Sequence, residues 1–435
     1  VSGRTRPPPL AAALALALAL ALPAQAQVPG LPAALQPYYE ALLADGEWGA
    51  VLNLQRMGLE AIDQGQPEVA ATAFDAAIER IELVYADSQA AKKARSLWSS
   101  EGVKDFKGEP YERAMAYYYR GLLFLAEGDY GNARAAFRAA EYQDTVAEQE
   151  EYAGDFGLMS LLAGWASQCE GDAAMAAEFY GRAAAQQPQG LQPPAPGADT
   201  LVLVESGGAP VKAATGGYGE ALQLKPGDNP FVAVRMGGQE LAALGDVGWQ
   251  ARTRGGRMID VVLDGKASFR EGAETVGSAG VSLGAQVAAF APGDDSLAVA
   301  GALAVVGVAA TLIGGAVKAK ADIRAWDNLP DRIYGGFVAG GARPLPPVSE
   351  AEGDGEQWPI EAPVIDRRAG ACRLVLYRTR EPATLRAQAV SNLSEPERRK
   401  LLKRNEQRDR AFRSQMAALF AAAPGEAAEP PGPGE

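Results

Sequence analysis

Two kinds of hydrophobic patterning succeed one another along the chain. Between residues 50 and 190, small and aromatic positions recur at offsets suited to paired helices. Three glycines, Gly58, Gly121 and Gly164, mark the register. Seven residues after each comes a second glycine, Gly65, Gly128 and Gly171. Alanine follows at the twelfth position (Ala70, Ala133, Ala176), an aromatic at the sixteenth (Phe74, Phe137, Tyr180) and alanine again at the nineteenth. The first glycine and the alanines predict close helix approach, the aromatic fills space between helices, and the second glycine turns the chain. Asp129 and Asp172, just past two of those turns, are placed to start the following helix.

A Pro/Gly-rich boundary follows, and beyond it the period shortens to that of strands. Thr200–Glu205, Phe231–Arg235, Met258–Leu263 and Arg373–Tyr377 read as strands, with Ile333–Val338 a weaker fifth. A glycine- and alanine-rich stretch over 277–317 interrupts them. Within it Leu297 to Val317 is 21 residues without a charge, about 30 Å if helical, and Lys318, Lys320 and Arg324 follow. Two readings stand for it: a buried helical hairpin, or a membrane insertion that oligomerises through its small residues. From Pro396 to Ala423 a charged, helix-compatible stretch carries Leu401, Leu402, Phe412, Met416 and Phe420 as packing points, with a solvated helix the default and a partner helix the alternative.

The predicted fold class is therefore α+β. Residues 1–26 have the pattern of a signal peptide: Arg4 and Arg6, an Ala/Leu run from Leu10 to Leu22, then Ala24-Gln25-Ala26. Residues 27–190 form a helical domain, 191–199 a linker, and 200–380 a small β-rich domain with a helical insertion over 269–325. Residues 381–423 are the charged helix, and 424–435 a disordered tail. Export makes the two cysteines, Cys169 and Cys372, a candidate disulfide; two separate buried thiols are the alternative.

Charge and composition narrow the function. The chain has 54 acidic and 41 basic residues and no histidine, a formal net charge of -13 that becomes -15 when Arg4 and Arg6 leave with the signal peptide. Without histidine there is no His-dependent triad and no H-E-x-x-H zinc helix. Two cysteines cannot build a four-thiolate zinc site. An acidic chain is a poor nucleic-acid binder. Gly265-Lys266-Ala267 lacks the hydroxyl and leading glycine of a phosphate loop, and Gly277-Ser278-Ala279-Gly280 is no nucleophile elbow, since Val276 stands at its first glycine position. No pair of carboxylates is singled out for acid–base work. The expectation is a non-enzyme with no cofactor and no metal.

The repeat register resembles the tetratricopeptide repeat, a helix–turn–helix unit of about 34 residues that stacks into an α-solenoid. The spacing here is longer, 63 residues from Gly58 to Gly121 and 43 from Gly121 to Gly164, so insertions follow the first two units. Repeat insertions often sit on a binding face. The first makes Trp98, Phe106, Lys107, Glu109, Tyr111 and Arg113 candidate partner contacts, with a packing loop as the alternative, and Tyr118 opens the second unit as a further candidate. Lys104-Asp-Phe-Lys-Gly-Glu-Pro-Tyr-Glu-Arg113, Tyr118-Tyr-Arg-Gly-Leu122, Gly128-Asp-Tyr-x-Asn-Ala-Arg134 and Asp322-Ile-Arg-Ala-Trp-Asp-Asn-Leu-Pro330 resemble a family of bacterial envelope proteins with such repeats. Members are commonly lipoproteins without an assigned activity; here Gln27, not cysteine, follows the cleavage motif. The resemblance implies an exported scaffold or adaptor in the periplasm or cell envelope, binding envelope proteins. Arg324, Trp326, Asp327 and Asn328 form either a docking edge or a helix-end cap.

Overall fold

A computed structural model describes residues 31–86, 104–145, 155–186, 191–215, 221–225, 227–253, 321–339, 344–379 and 393–422. The signal peptide, Trp98, the 277–317 stretch, the Met258–Leu263 run and the tail lie outside them. Among the described residues no helix is long and apolar enough to cross a membrane.

Helix α1 (Gln36–Asp45) precedes three helical hairpins: α2 (Ala50–Asp63) with α3 (Pro67–Ala86), α4 (Pro110–Glu127) with α5 (Tyr130–Thr145), and α6 (Gly157–Glu170) with α7 (Ala173–Gln186). All three turn in the same way. Gly65, Gly128 and Gly171 have φ of 65°, 80° and 93°, a left-handed conformation that costs an L-residue roughly 1–2 kcal/mol. Around each, the same pair of hydrogen bonds closes the first helix, as in Gly128 N–H to Leu125 O and Asp129 N–H to Phe124 O. Asp129 and Asp172 then accept from the backbone N–H groups of Asn132 and Met175, starting α5 and α7.

The glycine and aromatic of each unit meet face to face. A Cβ built on Gly58, Gly121 or Gly164 would lie 3.0 Å, 2.5 Å or 2.6 Å from the ring of Phe74, Phe137 or Tyr180. The aromatic therefore packs on the glycine of its own hairpin.

The β region holds a five-stranded mixed sheet in the order β10-β11-β1-β7-β6 and a four-stranded sheet in the order β5-β4-β8-β9. A separate hairpin pairs β2 (Val211–Thr215) with β3 (Ala221–Lys225). In the larger sheet β1 (Ala198–Ser206) runs parallel to β11 (Cys372–Arg378) and antiparallel to β7 (Arg332–Ala339). β10 (Ile365–Ala369) and β6 (Ala242–Asp246) form its edges. The smaller sheet contains β4 (Phe231–Met236), β5 (Gln239–Glu240), β8 (Val348–Glu352) and β9 (Gln357–Ile360). A short helix α8 (Val247–Arg252) follows β6.

The layers explain the sequence texture. Leu201 and Leu203 of β1 join the core of the helical hairpins, whereas Val202 and Val204 point into a second core against Val234 and Val348. Buried on both faces, β1 reads as an unbroken apolar run. One core thus passes from the hairpins into the larger sheet, and the smaller sheet covers its far side. A disulfide, Cys169–Cys372, ties the end of α6 to the start of β11 across a sequence separation of 203.

The C-terminal helix α9 (Glu395–Ala421) opens with a capping box between Ser394 and Glu397. It lies against α1, burying Leu401, Phe412, Met416 and Phe420, with Phe420 edge-on to Tyr39 and Arg398 paired with Asp45. It is therefore not a fully solvated helix, since its apolar stripe is covered. A second correction concerns the insertion: residues 321–325, expected at its helical end, are irregular rather than helical.

Candidate functional site

One stretch of the chain, residues 321–339, touches the first helix of every hairpin, α2, α4 and α6, and the surface these helices present to it is the groove. Residues 321–330 cross α2 and α4 without regular structure, and β7 continues over α6. Each first helix supplies a contact. Arg56 of α2 pairs with Asp327, Nε to Oδ1 at 2.7 Å. Tyr119 of α4 packs 5.8 Å from Trp326. Trp165 of α6 packs 5.0 Å from Phe337 of β7.

Four side chains of the 321–330 segment are held individually. The Arg324 guanidinium lies 4.5 Å from the centroid of Trp48 and 5.3 Å from that of Phe106. It donates to Trp48 O at 2.8 Å and Lys104 O at 2.7 Å. Trp326 is fully buried, 6.1 Å from Phe74 and against Tyr119. Asp327 meets Arg56, and Asn328 donates through Nδ2 to Arg56 O at 3.1 Å. Main-chain groups are held too. Trp326 N–H donates to Glu112 Oε1 at 2.8 Å, and Lys212 Nζ donates to Arg324 O at 2.9 Å. Lys212, reaching in from β2, also pairs with Glu112 Oε2 at 2.6 Å. Burial works against the charge of Asp322, but Arg324 beside it holds the carboxyl below its ordinary pKa.

Beneath the segment sits a buried ionic cluster. Tyr119 donates its hydroxyl to Glu205 Oε2 at 2.8 Å, and Arg378 donates to the same oxygen at 2.6 Å. Arg378 also reaches Asp63 at 2.9 Å and Asn328 O at 2.9 Å. Burial pushes the Glu205 carboxyl up despite Arg378. It also pushes the Tyr118 and Tyr119 phenols well above their ordinary range. For Arg378 burial acts against the charge, and Asp63, Tyr119 and Glu205 outweigh it. The cluster joins α2, α4, β1, β11 and the 321–330 segment at one point. Every charge in it faces an opposite charge, which is the arrangement of a structural junction.

The expected partner contacts turn inward. Phe106 is buried beside Arg324 and Lys212. Glu109 caps α4 and shares a capping box with Glu112. Tyr111 and Tyr118 are buried. Arg113 donates to Gln143 Oε1 at 2.8 Å and Gly108 O at 2.7 Å. Only Lys107 of the described candidates is exposed. These residues pack the loop before α4 rather than rimming an open groove, because α4 starts at Pro110 and its cap pulls the loop down. Arg324, Trp326, Asp327 and Asn328 likewise form no exposed docking edge, and among the described residues they cap no helix. The sequence reading missed Arg56, Asp63, Glu112, Tyr119, Lys212, Glu205 and Arg378, whose partners lie far off in sequence. The run Tyr117-Tyr118-Tyr119 was the single signal in reach, since three adjacent tyrosines on a helix must include inward-facing ones.

Among the described residues, no group of three or more acidic, cysteine or histidine side chains is placed to hold a metal ion. No family model matches the chain, and no characterised protein or solved structure is significantly similar to it.

Proposed function

We propose that this chain is an exported scaffold of the bacterial cell envelope, built on a short tetratricopeptide-like solenoid and working by binding other envelope proteins rather than by catalysis. The observation that carries this reading is the groove itself. Three hairpins with the same turn and the same glycine–aromatic contact present their first helices to an irregular stretch of polypeptide, and repeat arrays receive protein ligands on such helices. Export is supported by the pattern of residues 1–26 and by a disulfide, a bond that persists outside the cytosol.

The test is in-cell photo-crosslinking of the full chain with probes at exposed Lys107 and Tyr142, followed by identification of what is attached. The expected result is one recurrent envelope protein. Crosslinks only between copies of the chain, in a carbonate-resistant membrane fraction, would overturn the reading in favour of a membrane-embedded oligomer.

A further inference from the structure

We propose that residues 322–329 are a ligand of the hairpin groove supplied by the chain itself, and that the groove accepts in its place a peptide of the same chemistry, an arginine two residues before a tryptophan–aspartate pair. The inference rests on the scaffold reading and names the class of peptide that would be bound.

Four observations carry it. The segment has no regular structure, and two of its main-chain groups are held by side chains, Trp326 N–H by Glu112 and Arg324 O by Lys212. Between Ile323 and Asn328 its burial alternates. Arg324, Trp326 and Asn328 are buried, while Ile323, Ala325 and Asp327 are partly open to solvent. A turn at Asp327 and Asn328 ends that alternation and lets Asp327, though partly open, reach Arg56.

The pockets discriminate. One is an aromatic slot between Trp48 and Phe106 with two carbonyls at its end, which suits the flat, five-donor guanidinium and suits lysine poorly. The next is a buried ring pocket between Phe74 and Tyr119. The third is the buried cation Arg56, which calls for a carboxylate.

The fit is also imperfect. Trp326 Nε1 and Asn328 Oδ1 are buried without a hydrogen-bond partner among the described residues. Orphaned polar atoms weaken the internal ligand, so a peptide able to satisfy them has ground on which to compete.

The experiment uses the full chain and a fluorescein-labelled peptide of residues 321–331, with a control peptide carrying alanine at the Arg324 and Trp326 positions. A groove closed by its own segment weakens binding in trans by the fraction of molecules that are open. Loosening the segment should therefore tighten binding of the added peptide. In Asp327→Asn the buried Arg56 loses its carboxylate, and the peptide's aspartate restores it. In Trp326→Ala the peptide's indole fills the emptied pocket.

The expected result is peptide binding at least tenfold tighter to either variant than to the wild type, and none of the control peptide. Circular dichroism verifies folding. If Trp326→Ala does not fold, Asp327→Asn carries the test, because that side chain is 32% exposed and the change keeps its shape. A folded Asp327→Asn that binds the peptide no better than the wild type, or binds the control equally, would overturn the inference. The crosslinking result is independent of this one. Partners captured by a chain that binds no peptide would leave the scaffold reading standing and the groove inference refuted.

Discussion

Replacing Gly121 by alanine tests whether the glycine–aromatic contact, rather than helix propensity, governs the hairpins. In an exposed helix interior the change would stabilise by roughly 1 kcal/mol, because alanine holds less backbone freedom in the unfolded chain. Here the new Cβ would stand 2.5 Å, 2.8 Å and 2.9 Å from three atoms of the Phe137 ring, where ordinary contact begins at 3.4 Å. Phe137 is completely buried, so the ring can move only by pushing other core residues. Overpacking of this kind costs about 1–3 kcal/mol. The expected net is a loss of up to about 2 kcal/mol. Gly58→Ala is the internal comparison, since its Cβ would lie 3.0 Å from Phe74 and needs less movement. The assay is urea unfolding followed by far-ultraviolet circular dichroism, with the disulfide intact in every protein. Gly121→Ala should unfold at lower urea than Gly58→Ala, and Phe137→Leu should be less damaging in the Gly121→Ala background than alone. A Gly121→Ala protein more stable than the wild type would refute the packing argument and leave propensity in charge.

Lys212→Met should cost about 3–5 kcal/mol in thermal unfolding, because it strands the fully buried Glu112 carboxylate. Adding Glu112→Gln should recover part of that loss; an equal or larger loss in the double variant would show that the pair is not what holds β2 to α4. Glu350 lies between the two sheets, accepting from Ser206 and from Thr379 at 2.7 Å, and burial raises its pKa. A raised acid binds its proton more tightly folded than unfolded, so its contribution to stability falls as pH rises from the ordinary glutamate value through the raised one. Glu350→Gln should therefore gain melting temperature relative to the wild type as pH rises through that window, and a pH-independent difference would contradict the assignment. Reducing Cys169–Cys372 frees a loop of sequence separation 203, for which chain entropy sets about 5 kcal/mol as an upper value. Melting with and without dithiothreitol should show a clear drop while helicity at low temperature persists; equal melting temperatures would mean that the packing of β11 alone fixes α6.

What could be read from the sequence and what could not follows from where each interaction partner lies. Gly58 and Phe74, or Gly121 and Phe137, are sixteen residues apart and touch within one hairpin, so the periodicity records the contact directly. β1 and β11 were visible because both of their faces are buried and their centres, Leu201–Val204 and Leu374–Tyr377, are unbroken apolar runs. β8, β9 and β10 were not, since Ser349, Trp358, Arg367 and Arg368 face outward at or near sheet edges and break the alternation. The site was harder for a related reason. Phe106, Tyr111 and Tyr118 have the composition of a recognition surface, and an aromatic residue serves equally well turned inward; only its neighbours decide which. Those neighbours are remote: Arg56 and Asp327 are 271 residues apart, and Trp326 and Glu112 are 214 apart. No local period encodes such pairs. The first helices α2, α4 and α6 present an apolar face besides the one that their hairpin partners bury, and that face is covered. In this chain the cover is its own 321–339 stretch, which joins the hairpins to the sheets and explains why their cores are continuous. A function that uses this groove therefore has to begin by competing with the chain that closes it.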